Sequence, residues 1–205
     1  MKPRSQNPIG QAAPVVLVVA LVLALAGCGG SQSSDVAASA ERAPASAAPF
    51  AWLAPGPTGS AWKVVRLRFG AARAQPPGWR PVRTDSGTAS FARLDRNRAI
   101  VAYLNATPRQ GSESLANWPS FRVHHNAEEG SRDIRTLAAA RGLRFRSGPG
   151  SCVIDQYRTS ARSYREIACL VAGHGRATVI VAAATPALWP REAPVLERAI
   201  SAFVG

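Results

Sequence analysis

The chain has 205 residues, with 25 Lys and Arg against 12 Asp and Glu, for a formal net charge of +13. All of these cations except Lys2 and Lys63 are arginine, which together with the abundant Ala, Gly and Pro points to a GC-rich coding sequence. A balance this basic raises nucleic acid as a partner, but the aromatic-plus-basic motifs of nucleic-acid folds are absent and that class is set aside.

In chain order, Met1 to Pro14 carries Lys2 and Arg4 with no acidic residue, and Val15 to Ala26 is a run of Val, Leu and Ala. Charge followed by a short apolar run is the order of an export signal. The run is too short to cross a bilayer as a helix, which takes about twenty residues. It lacks the polar face that a core helix of this length would show. The run closes on Leu25-Ala26-Gly27-Cys28, which resembles the lipobox of bacterial lipoproteins. That resemblance implies cleavage before Cys28, lipidation of its thiol, and a mature protein held on the extracytoplasmic face of the cell membrane. The membrane is then an expected partner, with an outer membrane as the alternative location if the bacterium has one. Two or three acyl chains anchor almost permanently where one does not. Gly29, rather than Asp, follows the cysteine.

Gly29 to Gly59 is rich in Gly, Ser, Ala and Pro and cannot bury enough apolar surface to order itself. It reads as a tether, with Phe50, Trp52 and Leu53 free to dock on the domain or on lipid. The predicted organisation is thus a signal peptide at 1–27, a lipidated tether at 28–59 and one globular domain at 60–205. From Ser60 onward 22 basic residues stand against 10 acidic ones, a field that in an exported protein meets envelope polyanions or an envelope partner.

Val65, Leu67 and Phe69 alternate with Arg66 and Arg68, a half-buried strand with its arginines outward. After Pro76-Pro77-Gly78, Thr88 to Leu94 and Ala99 to Ala106 read as strands joined by Asp95-Arg96-Asn97-Arg98. Thr107 to His125 reads as loop, with at most a short helix at Ser112 to Asn117. Asn126 and Glu129 resemble a capping box. Ile134, Leu137, Ala138 and Arg141 share one helical face, and Gly142 is a stop, so a helix is expected there. Strands follow at Leu143 to Arg146, Ser151 to Thr159, Tyr164 to Val171 and Arg176 to Ala184. A C-terminal helix starts with Pro194 at its first position and carries the stripe Val195, Leu196, Ala199, Ile200 and Phe203.

With Cys28 assigned to lipid, Cys152 and Cys169 remain on adjacent strands, outside the cytoplasm, where disulfides persist. If they face each other, paired numbers sum to 321, which also opposes Ile154 to Ile167 and Tyr157 to Tyr164. Directly opposed cysteines lie within disulfide reach. Catalytic or metal-binding thiolates are the alternative, but no further ligand clusters with the two.

The same register opposes Asp155 to Glu166. Facing carboxylates repel unless one is protonated or arginines intervene. Either an acid/base pair or an ion-pair cluster with Arg158, Arg162 and Arg165 results, and the cluster is the expectation. His124 and His125 each have a Glu four residues later, but adjacent histidines on a helix diverge by about 100°, so no metal site is expected. His174 between Gly173 and Gly175 reads as a turn residue. No Gly-x-Ser-x-Gly elbow, His-Glu-x-x-His or phosphate loop is present, and no cofactor is expected.

Strands, a middle helix, a three-strand meander and a C-terminal helix, with the Pro76-Pro77-Gly78-Trp79 lead-in and the Leu196 to Phe203 stripe, are similar to the PsbP/Mog1-like sandwich of some actinobacterial lipoproteins. The resemblance implies an α+β fold, an antiparallel β-sheet flanked by helices, used for binding rather than chemistry. A cystatin-like sheet is the competing fold. The expected function is an envelope-anchored lipoprotein with a non-catalytic binding domain for an anionic envelope polymer or a protein partner. Arg66, Arg68, Arg144 and Arg146 are its candidate anion-binding residues. The alternative is an envelope hydrolase using His174 or the Asp155/Glu166 pair.

Overall fold

A computed structural model describes residues 48–83 and 87–205. The export signal, Cys28 and the tether up to residue 47 lie outside the described residues. The chain divides into units at 1–41 and 42–205, and the described residues all belong to the second.

That unit opens with a 3-10 turn, Ala48–Phe50. A two-stranded antiparallel ribbon follows, β1 (Lys63–Arg66) and β2 (Ala72–Gln75). The remaining strands, β3 (Arg80–Val82), β4 (Ala89–Leu94), β5 (Ile100–Pro108), β6 (Arg132–Arg144), β7 (Pro149–Arg158), β8 (Ser163–Val171) and β9 (Thr178–Ala184), form one sheet. Its order is β3-β4-β5-β9-β8-β7-β6, and every neighbouring pair is antiparallel. Helix α1 (Trp118–Glu128) packs on β6, β7 and β8, and α2 (Trp189–Ser201) packs on β9 and β2. The α+β class and the antiparallel sheet with flanking helices agree with the sequence.

Strand alternation sorts the side chains onto two faces. Cys152, Ile154, Ile167, Cys169, Ile180 and Ala182 share a core with Leu196, Ile200 and Phe203 of the α2 region. Each of those three is fully buried, worth about 1.5–3 kcal/mol apiece. On the other face Val153, Ala168, Leu170 and Val181 surround Trp118 of α1, whose indole N–H donates to the Ala168 carbonyl at 2.9 Å.

The pairing of β7 with β8 runs in one register from Gly150↔Val171 to Arg158↔Ser163 and includes Cys152↔Cys169. These cysteines are disulfide-bonded. The Ser160-Ala161 turn, poor in hairpin formers, is held by Thr159. Its hydroxyl accepts from the Ala161 and Arg162 amides at 3.2 and 3.1 Å and lies 3.0 Å from the Arg162 carbonyl, to which it donates.

Four expectations change. Phe50 is buried in the main core, and Trp52 and Leu53 pack against it. The Ala54 amide donates to Ser201 Oγ, and Arg198 donates to the Pro57 carbonyl. The folded unit therefore begins upstream of Ser60.

The helix expected over Ile134 to Arg141 is instead the long strand β6. Gly130, at φ 83°, follows the end of α1, and Asp133 and Gly142 also have positive φ. The register with β7 shifts at three places along β6. Each bulge inserts an extra residue into the two-residue period, so Ala138, Ala140 and Leu143, two and then three residues apart, reach one core, while Leu137 of the expected helical face is exposed.

Helix α1 occupies the stretch read as loop. Pro119 lies in its first turn, where the ring is tolerated. The residues it buries are Trp118, Arg122 and Asn126, spaced four apart but mostly polar, so no apolar stripe announces them.

Helix α2 starts five residues before Pro194, with Pro190 in its first turn and Pro194 inside. Pro194 has no N–H for the carbonyl one turn earlier, and the helix continues because its apolar face is buried.

Candidate functional site

Asp155 and Glu166 face each other as the register requires, and both are fully buried. The cation that neutralises them comes from α1. Arg122 donates from Nε to Glu166 Oε1 at 2.7 Å and from Nη2 to Oε2 at 2.9 Å. Tyr157 and Tyr103 donate to the same Oε2 at 2.9 and 3.2 Å, with their hydroxyls 2.7 Å apart. Asp155 Oδ2 accepts from Asn126 Nδ2 at 3.3 Å, while Oδ1 has no hydrogen-bond partner.

Burial first, and then the Glu166 charge, push the Asp155 carboxyl up to about 8. Burial, and then Glu166, raise both tyrosine hydroxyls above their ordinary range. For Arg122 burial works against the charge, but the Glu166 charge and hydrogen bonds outweigh it, leaving the guanidinium above its usual value. Burial and the neighbouring acid thus favour the protonated form of Asp155, beside the Arg122–Glu166 ion pair.

The ion-pair cluster is real, but its arginine is not among those the sequence suggested. Arg158 pairs with Asp133 at 2.9 Å, Arg162 lies 4.0 Å from Asp95, and Arg165 stacks over the Trp189 ring at 4.8 Å. Arg122 was missed because α1 was missed. The signal present was the Trp118, Arg122, Asn126 spacing of four.

His174 is exposed in the β8–β9 turn. Glu166 lies eight residues back along the chain, and the five from Glu166 to Val171 already span about 17 Å of strand, so the two do not share a site. His124 and His125 sit on α1 with Glu128, and Glu129 caps its end, at 3.6 Å for His124–Glu128 and 3.3 Å for His125–Glu129, with His125 half-buried and the others exposed. Among the described residues no cluster of His, Cys, Asp and Glu could hold a metal.

Arg66, Arg68, Arg144 and Arg146 are all exposed, but they do not project from one sheet face. Arg66 ends β1 and Arg68 lies in the ribbon turn, whereas Arg144 ends β6 and Arg146 lies in the turn after it. Of the four, Arg146 lines a 280 Å³ cavity, together with Trp62, Val64, Ala72 and Val204. Ala72 is the register partner of Arg66, although Arg66, Arg68 and Arg144 do not themselves line the cavity. Val64 there is 67% exposed, and residues 48–83 contain six cations and no acidic residue.

Arg73, one residue on from Ala72, is 2% exposed; its guanidinium lies 4.2 Å over the Phe91 ring and none of its nitrogens has a hydrogen-bond partner. Burial lowers its pKa to about 9.

A larger groove of 690 Å³ runs beside α1 over β5 and β9, where Tyr103, Asn105, Thr107, Val179 and Val181 line it. Its floor carries Thr88, Asn105 and Thr107, one wall Phe121 and His125, and the opposite rim Gln110 and Arg83.

No family model and no curated protein matches the chain. Among solved structures it is similar to cyanobacterial PsbP from Synechocystis, with TM-score 0.50 and 12% identity over 72% of this chain and 96% of that one. It is also similar to a Pseudomonas aeruginosa protein of unknown function, with TM-score 0.47 and 16% identity over 70% and 96%. The PsbP likeness defines the class of fold and nothing further.

Proposed function

We propose that this chain is an envelope-anchored lipoprotein whose PsbP-like domain is a non-catalytic binding module for anionic envelope polymer. The observation that carries the proposal is the cavity that Arg146 shares with Trp62, exposed Val64 and Ala72, residues of a stretch of chain that also holds exposed Arg66 and Arg68 and no acidic residue. Charges of one sign on a shared surface raise the local concentration of a polyanion and steer its approach. Arg68 and Arg144, also exposed on the adjoining turn and strand end, extend the field. The lipobox at Cys28 supports the location, since an anchored domain meets envelope phosphate polymers before anything else.

The carboxylate pair fits a structural role better than hydrolysis. Both acids are sealed beneath α1, Glu166 is fully engaged, and His174 lies elsewhere. The test uses the Cys28→Ser chain, unlipidated and otherwise complete, sedimented with isolated envelope polymer. Binding of the parent at low salt, and its loss in the Arg66→Glu/Arg146→Glu variant, is the expected result. Equal binding by the two proteins overturns the proposal.

A further inference from the structure

We infer that the groove beside α1 is a second binding site, for an uncharged saccharide of one to three rings. It is distinct from the basic face and goes beyond the polyanion reading. Three observations converge on this ligand class.

The floor offers neutral hydrogen-bonding groups on neighbouring strands. Asn105 Oδ1 accepts from Ser90 Oγ at 2.9 Å, Asn105 Nδ2 lies 3.4 Å from Thr107 Oγ1, and the Thr88 and Thr107 hydroxyls lie 3.4 Å apart. Groups on adjacent strands stand about 4.8 Å apart and alternate residues of one strand about 6.8 Å apart. Hydroxyls around a pyranose ring and along a disaccharide fall in the same range. The Asn105–Thr107 contact is a weak hydrogen bond, so a ligand hydroxyl can replace it at little cost.

The wall is aromatic. Trp118, Phe121 and His125, one helical turn apart, form a run of near-parallel rings with centroids 6.1 and 6.0 Å apart. Phe121 and His125 are half-buried and give the groove the apolar flank that sugar C–H groups pack against.

The charges around the groove are already matched. Arg122 is held by Glu166. Glu113, 4% exposed, accepts the Gln110 and Gly111 amides at 2.8 Å each, and His125 lies 3.3 Å from Glu129. Among the described residues that line the groove, Arg83 is the one arginine without an ion pair. The Glu113 clamp also fixes the rim before any ligand arrives: a Cβ at Gly111 would lie 2.9 Å from Glu113 Oε2, so the loop closes tightly over the carboxylate. Preformed clefts of this volume are usual for small polar ligands.

The test is saturation-transfer NMR on the Cys28→Ser chain with the β-1,4 trimer of N-acetylglucosamine as probe. The sugar ring protons are expected to receive saturation. Asn105→Ala with Thr107→Val, and separately Phe121→Ala, are expected to weaken the trimer at least tenfold, each variant first checked for an unchanged melting transition. Arg66→Glu/Arg146→Glu is expected to leave it unchanged, which separates this site from the basic face. No saturation transfer, transfer that survives both groove changes, or displacement of the sugar by inorganic phosphate in a manner that depends on Arg83 would each overturn the inference.

Discussion

Arg122 grips Glu166 through two hydrogen bonds of 2.7 and 2.9 Å beneath α1, and this pair fixes the helix on the sheet. The guanidinium is about as buried as the carboxylate it holds. Removing one member of such a pair leaves an uncompensated buried charge, at a cost of about 3–5 kcal/mol, whereas apolar replacement of both is far milder. Arg122→Met is therefore expected to lower unfolding stability by that amount, and Arg122→Met/Glu166→Leu by much less. Chemical denaturation of the four proteins of the cycle measures the coupling. An additive cycle would mean the pair is not coupled.

Asp155 predicts a pH dependence of definite sign. Its folded pKa, about 8, lies above its ordinary 3.8, so between these values the folded state holds more protons than the unfolded state. The Asp155 contribution is complete below about pH 4 and is lost as pH rises through 8. Asp155→Asn, which keeps the neutral shape, is expected to flatten the fall in stability between pH 5 and 8. Thermal melts across that range check it, and an unchanged slope contradicts it.

How far these elements were legible depends on what each buries. The β7–β8 register could be derived from Cys152 and Cys169 because both strands alternate without interruption and every pair obeys one sum. The position of Asp155 opposite Glu166 came with it. The counter-ion did not, because α1 buries Arg122 and Asn126 where an apolar stripe was sought. β6 is hidden for the opposite reason: its three bulges break the two-residue alternation that marks a strand, and Ile134, Leu137, Ala138 and Arg141 fall at helical spacing. Arg66 and Arg146 were picked by charge alone. The ribbon that carries Arg66 docks beside the C-terminus through Ala72↔Val204, a long-range pairing with no local mark.

The disulfide joins residues 17 apart. Closing a loop of that size contributes about 3 kcal/mol in the chain-entropy model. Cys152→Ala/Cys169→Ala is expected to melt about 6–12 °C lower, at about 2–4 °C per kcal/mol for a domain of this size. The same shift should appear in the parent protein under reductant. Calorimetry with and without reductant measures both.

Arg73 is a buried guanidinium stacked on Phe91 with no hydrogen-bond partner. Burying an unpaired charge costs stability that a ring contact of about 2 kcal/mol only partly offsets. Arg73→Met, which keeps the long stem, is expected to be as stable as the parent or more so. A loss of several kcal/mol in urea denaturation would show that the guanidinium has a partner under native conditions.

The basic face is proposed to hold anionic envelope material electrostatically, and the salt dependence of binding tests this most directly. For the Cys28→Ser chain on isolated envelope polymer, affinity is expected to fall steeply from low to high salt, as counter-ion screening shortens the reach of exposed charges. In Arg66→Glu/Arg146→Glu the residual binding should be weak and nearly independent of salt. Binding that stays unchanged across the salt range in the parent protein would contradict an electrostatic hold.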